Sequence, residues 1–318
     1  MVKLTFHYKS FEERRNHSIW INDQIRKLAQ PPPNYCWEGH CGPWLEDAWM
    51  SLENSDFHIF GPFVPLFVPW AKMLTQENNR FKSKVMRRLK SKYYQWRDNI
   101  LSLLSKEYFY ITVSINADGI EGRNENRYIL PENMIVISGG GKGHIPTLIF
   151  LKEHNPNNFS IKNKYEYDVV FSGYEKYRIR NEMVFLYNKL LGKKFLHFKN
   201  RVDWTVDYCK AKFVLAPRGY GRNSFRLCET LQSGRIPIYI YDDIIWLPYY
   251  DSINWNSFAI ITNVTGIDKT IKRIKETSPK EIKKMSEKIR NLYYSHFTFN
   301  GTVNQIKLFL LYGFAKSD

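Results

Sequence analysis

The stretch Phe213-Val-Leu-Ala-Pro-Arg-Gly-Tyr-Gly-Arg-Asn-Ser-Phe-Arg-Leu-Cys-Glu-Thr-Leu-Gln-Ser-Gly-Arg-Ile-Pro237 decides the reading of this chain. An apolar strand over Phe213–Ala216 stops at a proline and runs into Arg218-Gly-Tyr-Gly-Arg222. Gly219 and Gly221 allow a tight turn and a close approach of backbone to a ligand. Asn223 or Ser224 then stands where a helix cap belongs, ahead of a helix expected over Ser224–Gln232. The free amides of that first turn, together with the helix dipole, favour an anion. Arg218, Arg222 and Arg226 surround it with guanidinium groups, the best bidentate partners for phosphate. Arg226 and Glu229 are three residues apart and share a helix face. An arginine over a diphosphate, with a carboxylate one turn on accepting ribose hydroxyls, makes a nucleotide grip. A surface ion pair between the two is the competing reading.

Around this segment the pattern is strict alternation. Strands are expected at Tyr167–Ser172, Phe195–Phe198, Ile236–Tyr241 and Phe258–Thr262. Helices are expected at Arg178–Leu191, Val202–Cys209, Ile267–Glu276, Pro279–Tyr294 and Val303–Leu311. Such alternation means βαβ units, a parallel sheet and a doubly wound domain, which binds ligands beyond the carboxyl ends of its strands.

The first half is less regular. Residues 1–30 are polar, with one short strand expected at Leu4–Tyr8, and prolines 31–33 break the chain. Trp37, Trp44 and Trp49 follow, a core patch or a sugar-stacking surface. Phe57–Val68 reads as a buried strand and loop, Phe81–Lys106 as an amphipathic helix, and Tyr108–Ser114 and Met134–Ser138 as strands. The run Gly139-Gly-Gly-Lys-Gly143 reads as a connection, or as a loop at a cleft; it lacks the phosphate-binding G-x-x-x-x-G-K-[ST] pattern. Asn155–Lys164 is expected to link two domains. The division expected is 1–155, 156–300, and a C-terminal helix within 301–318 packing back on the first domain.

Composition removes other classes. The 318 residues are 43% hydrophobic and 16% aromatic, which excludes disorder, and their number suits two domains. The net charge of +16 suggests an anionic partner, but its lysines and arginines are dispersed and no nucleic-acid motif accompanies them. Four cysteines are too few for a disulfide scaffold and read as reduced thiols. No signal peptide or spanning segment is evident, so a soluble, cytoplasmic protein of microbial or viral origin is expected.

The run Lys212–Pro237, continued by Ile238-Tyr-Ile-Tyr-Asp-Asp243, Leu247-Pro248 and Trp255, resembles the exostosin family of glycosyltransferases. Val169–Gly173, Arg178-Ile-Arg180, Phe57–Phe67 and Tyr108–Gly119 are similar to further segments of that family. The resemblance implies an α/β, GT-B architecture, with two Rossmann-like domains facing across a cleft. It also implies inverting transfer of a sugar from a UDP-sugar to a hydroxyl of an oligosaccharide or glycoprotein acceptor. The first domain would hold the acceptor and the second the donor. Arg180, Arg218, Gly219, Tyr220, Ser224, Arg226 and Glu229 would then be donor-binding residues.

No Asp-x-Asp occurs in the chain, so arginines and helix amides are expected to neutralise the leaving diphosphate without a metal or other cofactor. Asp242-Asp243 reads as a strand-end turn. Asp118, just beyond a strand and next to Gly119, is the first candidate for the base; an Asx turn is its alternative reading, and Glu121, Glu46, Glu38 and His144 are rivals. Trp246, Tyr249 and Trp255 line the cleft or pack in the core. A neutral donor sugar such as xylose is favoured, because no unassigned arginine awaits a sugar carboxylate. Other functions consistent with the sequence are nucleic-acid binding through the positive charge and glycan binding without catalysis.

Overall fold

The computed structural model describes residues 9–28, 41–75, 85–122, 130–154, 165–199 and 204–313. The expected strand at Leu4–Tyr8, the linker at Asn155–Lys164, Trp37 and Glu38 lie outside these residues.

Two parallel sheets organise the chain. The first has four strands in the order β1 (Phe63–Pro65), β2 (Phe109–Ser114), β3 (Met134–Ser138) and β4 (Ile145–Pro146). The chain turns from β3 into its parallel neighbour β4 within the glycine-rich run, where Gly141 and Gly143 take φ of +111° and +151°. Only glycine reaches that region without strain.

A helix opens the described chain where only polar sequence was expected. Helix α1 (Phe11–Leu28) buries a narrow stripe of Ser18, Ile21, Asn22 and Ile25. Its start is fixed reciprocally: the Ser10 amide donates to Glu13 Oε2 at 2.8 Å and the Glu13 amide donates to Ser10 Oγ at 3.2 Å. This Ser-x-x-Glu capping box is the signal that a search for broad apolar faces misses. Three further helices, α2 (Leu45–Met50), α3 (Trp70–Thr75) and α4 (Val85–Leu101), complete this half.

The second sheet is ordered β6-β5-β7-β8-β9, all parallel, with β5 at Tyr167–Ser172, β6 at Phe195–Phe198, β7 at Ala211–Pro217, β8 at Ile236–Tyr241 and β9 at Ile260–Asn263. Helices α5 (Arg178–Leu191), α6 (Trp204–Tyr208), α7 (Phe225–Gln232) and α8 (Ile267–Glu276) alternate with these strands or follow them. Strands buried on both faces read as continuous apolar runs, as in Phe213-Val-Leu-Ala216, where every residue is at most 1% exposed. The strand order reverses between β5 and β7, so the crevice for a ligand opens past Ser172 and Pro217. The fold is therefore α/β, with two parallel, Rossmann-like sheets.

Helices α9 (Pro279–Leu292) and α10 (Phe299–Tyr312) end the described chain, with a π-helical turn at Tyr293–Phe297 between them. Helix α10 lies against α2 and the 3-10 turn at Phe57–Phe60. At the contact, a β-carbon on Gly61 would stand 2.7 Å from the Leu310 carbonyl oxygen.

Several aromatic residues resolve as core. Trp44 and Trp49 are 2% and 0% exposed, so they cannot stack on a sugar. Trp246, Tyr249 and Trp255 are likewise buried, each with its polar atom bonded inside the protein: Trp246 Nε1 to the Ser138 carbonyl, Tyr249 Oη to Thr302 Oγ1 and Trp255 Nε1 to the Pro248 carbonyl. The cysteines also divide differently from expectation. Cys41 is disulfide-bonded, while Cys209 and Cys228 are free. A disulfide persists where surroundings are oxidising. Among the described residues no helix is long and apolar enough to cross a membrane.

Candidate nucleotide-binding site

Arg180 lies at the reversal of strand order. It projects from the first turn of α5, and its Nε donates to the Arg218 carbonyl at 2.9 Å. Its guanidinium passes between two glycines: a β-carbon on Gly173 would stand 3.6 Å from Nη1, and one on Gly219 would stand 3.5 Å from Nη2. The rings of Tyr177 and Phe171 lie 5.5 and 5.8 Å from the guanidinium carbon. One cation is thus held at the ends of β5 and β7 with the half-buried backbone of a glycine on each side.

Arg218 ends β7. Its Nη1 donates to Asp242 Oδ1 at 2.6 Å and lies 3.6 Å from Asp243 Oδ1, while Nη2 donates to the Tyr220 carbonyl at 2.9 Å. Arg222 donates through Nε to Asp243 Oδ2 at 2.7 Å and through Nη1 to the Gly141 carbonyl at 2.8 Å. Asp242 and Asp243 are therefore the counter-ions of the arginine loop rather than a plain turn. Burial pushes the Asp243 carboxyl upward, but the Arg222 hydrogen bond, the Ile244 amide and the two arginine charges prevail and hold it below the usual carboxylate range.

Ser224 occupies the N-cap position of α7, yet its side chain makes no cap bond. Asn223 Oδ1 instead accepts the Ser224 amide at 2.8 Å, and Asn223 Nδ2 donates to the Thr147 carbonyl at 3.0 Å. Ser224 is 7% exposed, and its hydroxyl has no hydrogen-bond partner among the described residues. Neither residue closes the helix end, so the first-turn amides of α7 keep their capacity for an anion.

One turn on, Arg226 Nη1 donates to Glu229 Oε2, and the Thr230 hydroxyl donates to the Arg226 carbonyl. Glu229 is 1% exposed, whereas the Arg226 side chain is 19% exposed. Burial pushes the Glu229 carboxyl up to about 7, and the Arg226 charge pulls against that. The pair forms, but it is not a solvated surface pair: the acid is inside and only the arginine reaches out. Cys228 beside it is inert, its thiol pushed up to about 12 by burial.

The loop that follows β2 meets this loop directly. Tyr220 Oη donates to Asp118 Oδ1 at 2.8 Å. Asp118 follows β2 in a turn organised by Asn116, whose Oδ1 accepts the Asp118 amide at 3.2 Å; the Asx turn thus belongs to Asn116, and the Asp118 carboxylate is engaged by Tyr220 instead. The glycine-rich run presses on the same loop. A β-carbon on Gly221 would stand 2.0 Å from the Gly140 carbonyl oxygen, and one on Gly141 would stand 2.5 Å from the Arg222 nitrogen. The run packs against the loop after β7 and is not a bare connection.

The rival bases are placed elsewhere. Glu46 is 1% exposed and accepts the amides of Ala71 at 3.0 Å and Ile115 at 3.2 Å, tying the start of α3 to the end of β2. Burial pushes it up to about 7. His144 is exposed at the sheet edge, where Nδ1 accepts the Val136 amide at 2.9 Å. Glu121 turns back over Gly119, with Oε1 3.9 Å from Lys142 Nζ. Among the described residues no three His, Cys, Asp or Glu side chains converge to hold a metal ion.

The arginines and the uncapped start of α7 thus stand at the strand-order reversal of a doubly wound α/β sheet, the place where such folds bind their ligands. More particularly, residues 159–277 match the model of the Exostosin GT47 domain. The chain is 38% identical over 92 residues to an exostosin-1 homolog of Caenorhabditis elegans, a match covering 28% of this chain and 24% of that protein. It is 29% identical over 99 residues to a probable glycosyltransferase of Arabidopsis thaliana, covering 31% of this chain and 19% of that one. The match thus spans about a quarter or less of these relatives' length. Among solved structures, a glycosyltransferase from Rickettsia africae aligns over 98% of this chain and 85% of its own, with 11% identity and a TM-score of 0.43.

Proposed function

We propose that the chain transfers a sugar from a UDP-sugar to a hydroxyl of a glycan acceptor, carried by an oligosaccharide or a glycoprotein, with inversion. The observation that carries this reading is the Arg180 guanidinium between Gly173 and Gly219, beside a helix end left open by Ser224. That arrangement suits a diphosphate: two arginines offer paired donors and the α7 amides supply the rest. Arg226 reaches toward the nucleotide, and the buried Glu229 carboxylate holds it there, behind the ribose rather than touching it.

Transfer is a single displacement. The acceptor oxygen attacks the anomeric carbon as the bond to the diphosphate oxygen breaks, and Asp118 takes the acceptor's proton. Negative charge grows on the departing diphosphate, where Arg180, Arg218 and the helix end stabilise it, so the reaction needs no metal in this reading. Arg218 is then drawn from Asp242 and Asp243 toward the diphosphate. A neutral sugar such as xylose fits best: Arg222 is committed to Asp243 and Gly141, and Arg235 is 1% exposed, so neither awaits a sugar carboxylate.

The test is thermal unfolding with and without UDP, repeated in EDTA. A nucleotide at about 100 times its dissociation constant adds about 2.7 kcal/mol, a rise of a few degrees. A rise that survives EDTA supports a metal-free donor site. No rise with UDP refutes the donor assignment.

A further inference from the structure

Helices α5 and α8 pack side by side on one face of the second domain. Each buries an apolar stripe, led by Met183 and Tyr187 on α5 and by Ile271 and Ile274 on α8. Their outward residues are unlike those of a neutral solvated face. Phe185 stands on α5 with 65% of its surface exposed. Lys189, one turn further, and Lys193 and Lys194 in the following 3-10 turn are all exposed. On α8, Lys269, Arg273 and Lys275 are exposed as well. The outward acids are fewer: Asp268 and Glu276 on α8, the latter 3.9 Å from Lys272, and Glu182 on α5, bonded to Arg178 at 2.6 Å.

We propose that this α5–α8 face docks the protein on an anionic lipid surface, with Phe185 entering the headgroup layer and the lysines meeting lipid phosphates. The inference goes beyond the proposed transfer reaction and does not depend on it. An exposed apolar ring costs free energy in water and is repaid where it can leave water. Lysine stems lie along an apolar boundary while their ammonium groups reach the phosphate layer. An exposed aromatic ring one helical turn from Lys189, on a pair of packed helices with more outward lysines than acids, is the chemistry of an interfacial anchor on acidic lipid. A phosphate polymer would be served by the lysines alone and would leave Phe185 unexplained.

The test is sedimentation of the whole chain with vesicles at about 0.1 M salt, comparing phosphatidylcholine alone with a mixture holding about one-third phosphatidylglycerol. The mixed vesicles should bind the protein at least about tenfold better. Phe185→Ser should weaken that binding several-fold, and the combined Lys189→Glu, Lys193→Glu and Lys275→Glu variant should lose about tenfold or more. All four side chains point to solvent, so the melting temperature and the response to UDP should stay at wild-type values. Equal binding to both vesicle types, or wild-type binding by either variant, overturns the proposal. So does single-stranded DNA or heparin that binds more tightly than the mixed vesicles and is released by the same lysine reversals.

Discussion

Asp118 and Tyr220 stand 102 residues apart in sequence and 2.8 Å apart in space. Tyr220 is 46% exposed and is held through its carbonyl by Arg218, so the arginine loop after β7 touches the candidate base beyond β2. Asp118→Asn should lower transfer by about 10²–10⁴-fold through loss of the proton acceptor, while the stabilisation by UDP remains. Assays of UDP release beside UDP-dependent melting separate these two effects. A variant that still transfers at the wild-type rate would move the base to another residue. Arg226→Ala has two consequences. It should cost about 2–4 kcal/mol of transition-state stabilisation, read from kcat/KM. It also leaves the buried Glu229 carboxyl without its cation, so Glu229 should titrate still higher in the variant.

At the scale of elements, glycine decides how the two loops meet. Gly221→Ala places a methyl group where the Gly140 carbonyl stands, a separation of 2.0 Å that backbone cannot accept. The loops must part, so both the melting temperature and UDP affinity should fall, and calorimetric titration with UDP reads the second. Glu46 binds three elements, α2, the start of α3 and the end of β2, and its proton is held by burial up to about pH 7. The unfolded chain releases that proton near the ordinary glutamate value. The folded state therefore binds more protons in between. The stabilisation is complete below the unfolded value and is lost as pH rises through it to about 7, a change of about 3 kcal/mol. Glu46→Gln should flatten this part of the stability curve between about pH 5 and 8, as measured by denaturant titration. Glu229 contributes a slope of the same sign, which the variant should retain.

At the scale of the whole molecule, α10 joins the end of the described chain to its beginning. Leu310 is 2% exposed, and its carbonyl lies against Gly61. Leu310→Ala should lower stability by about 2–5 kcal/mol, read from unfolding in denaturant. If α10 is only peripheral, the loss will be far smaller.

Much of the second domain was legible in its sequence, because local rules agree there. The runs Tyr167–Ser172, Arg178–Leu191 and Ile236–Tyr241 have the same bounds in sequence and structure. Continuous apolar strands alternate with periodic helices, and glycine and arginine mark the turn after β7. Local signals were weaker in α1, whose stripe is narrow and whose capping box alone announces it. What the sequence determined by itself was the alternating parallel sheet and the arginine-rich turn after β7, since these follow from neighbours along the chain. Tertiary structure alone decided which side chains are accessible and which are paired. It buried Glu46, Trp44 and Trp246, gave Asp242 and Asp243 to Arg218 and Arg222, and brought Asp118 to Tyr220. Burial and pairing depend on which distant surfaces meet, and no local pattern of residues encodes that meeting.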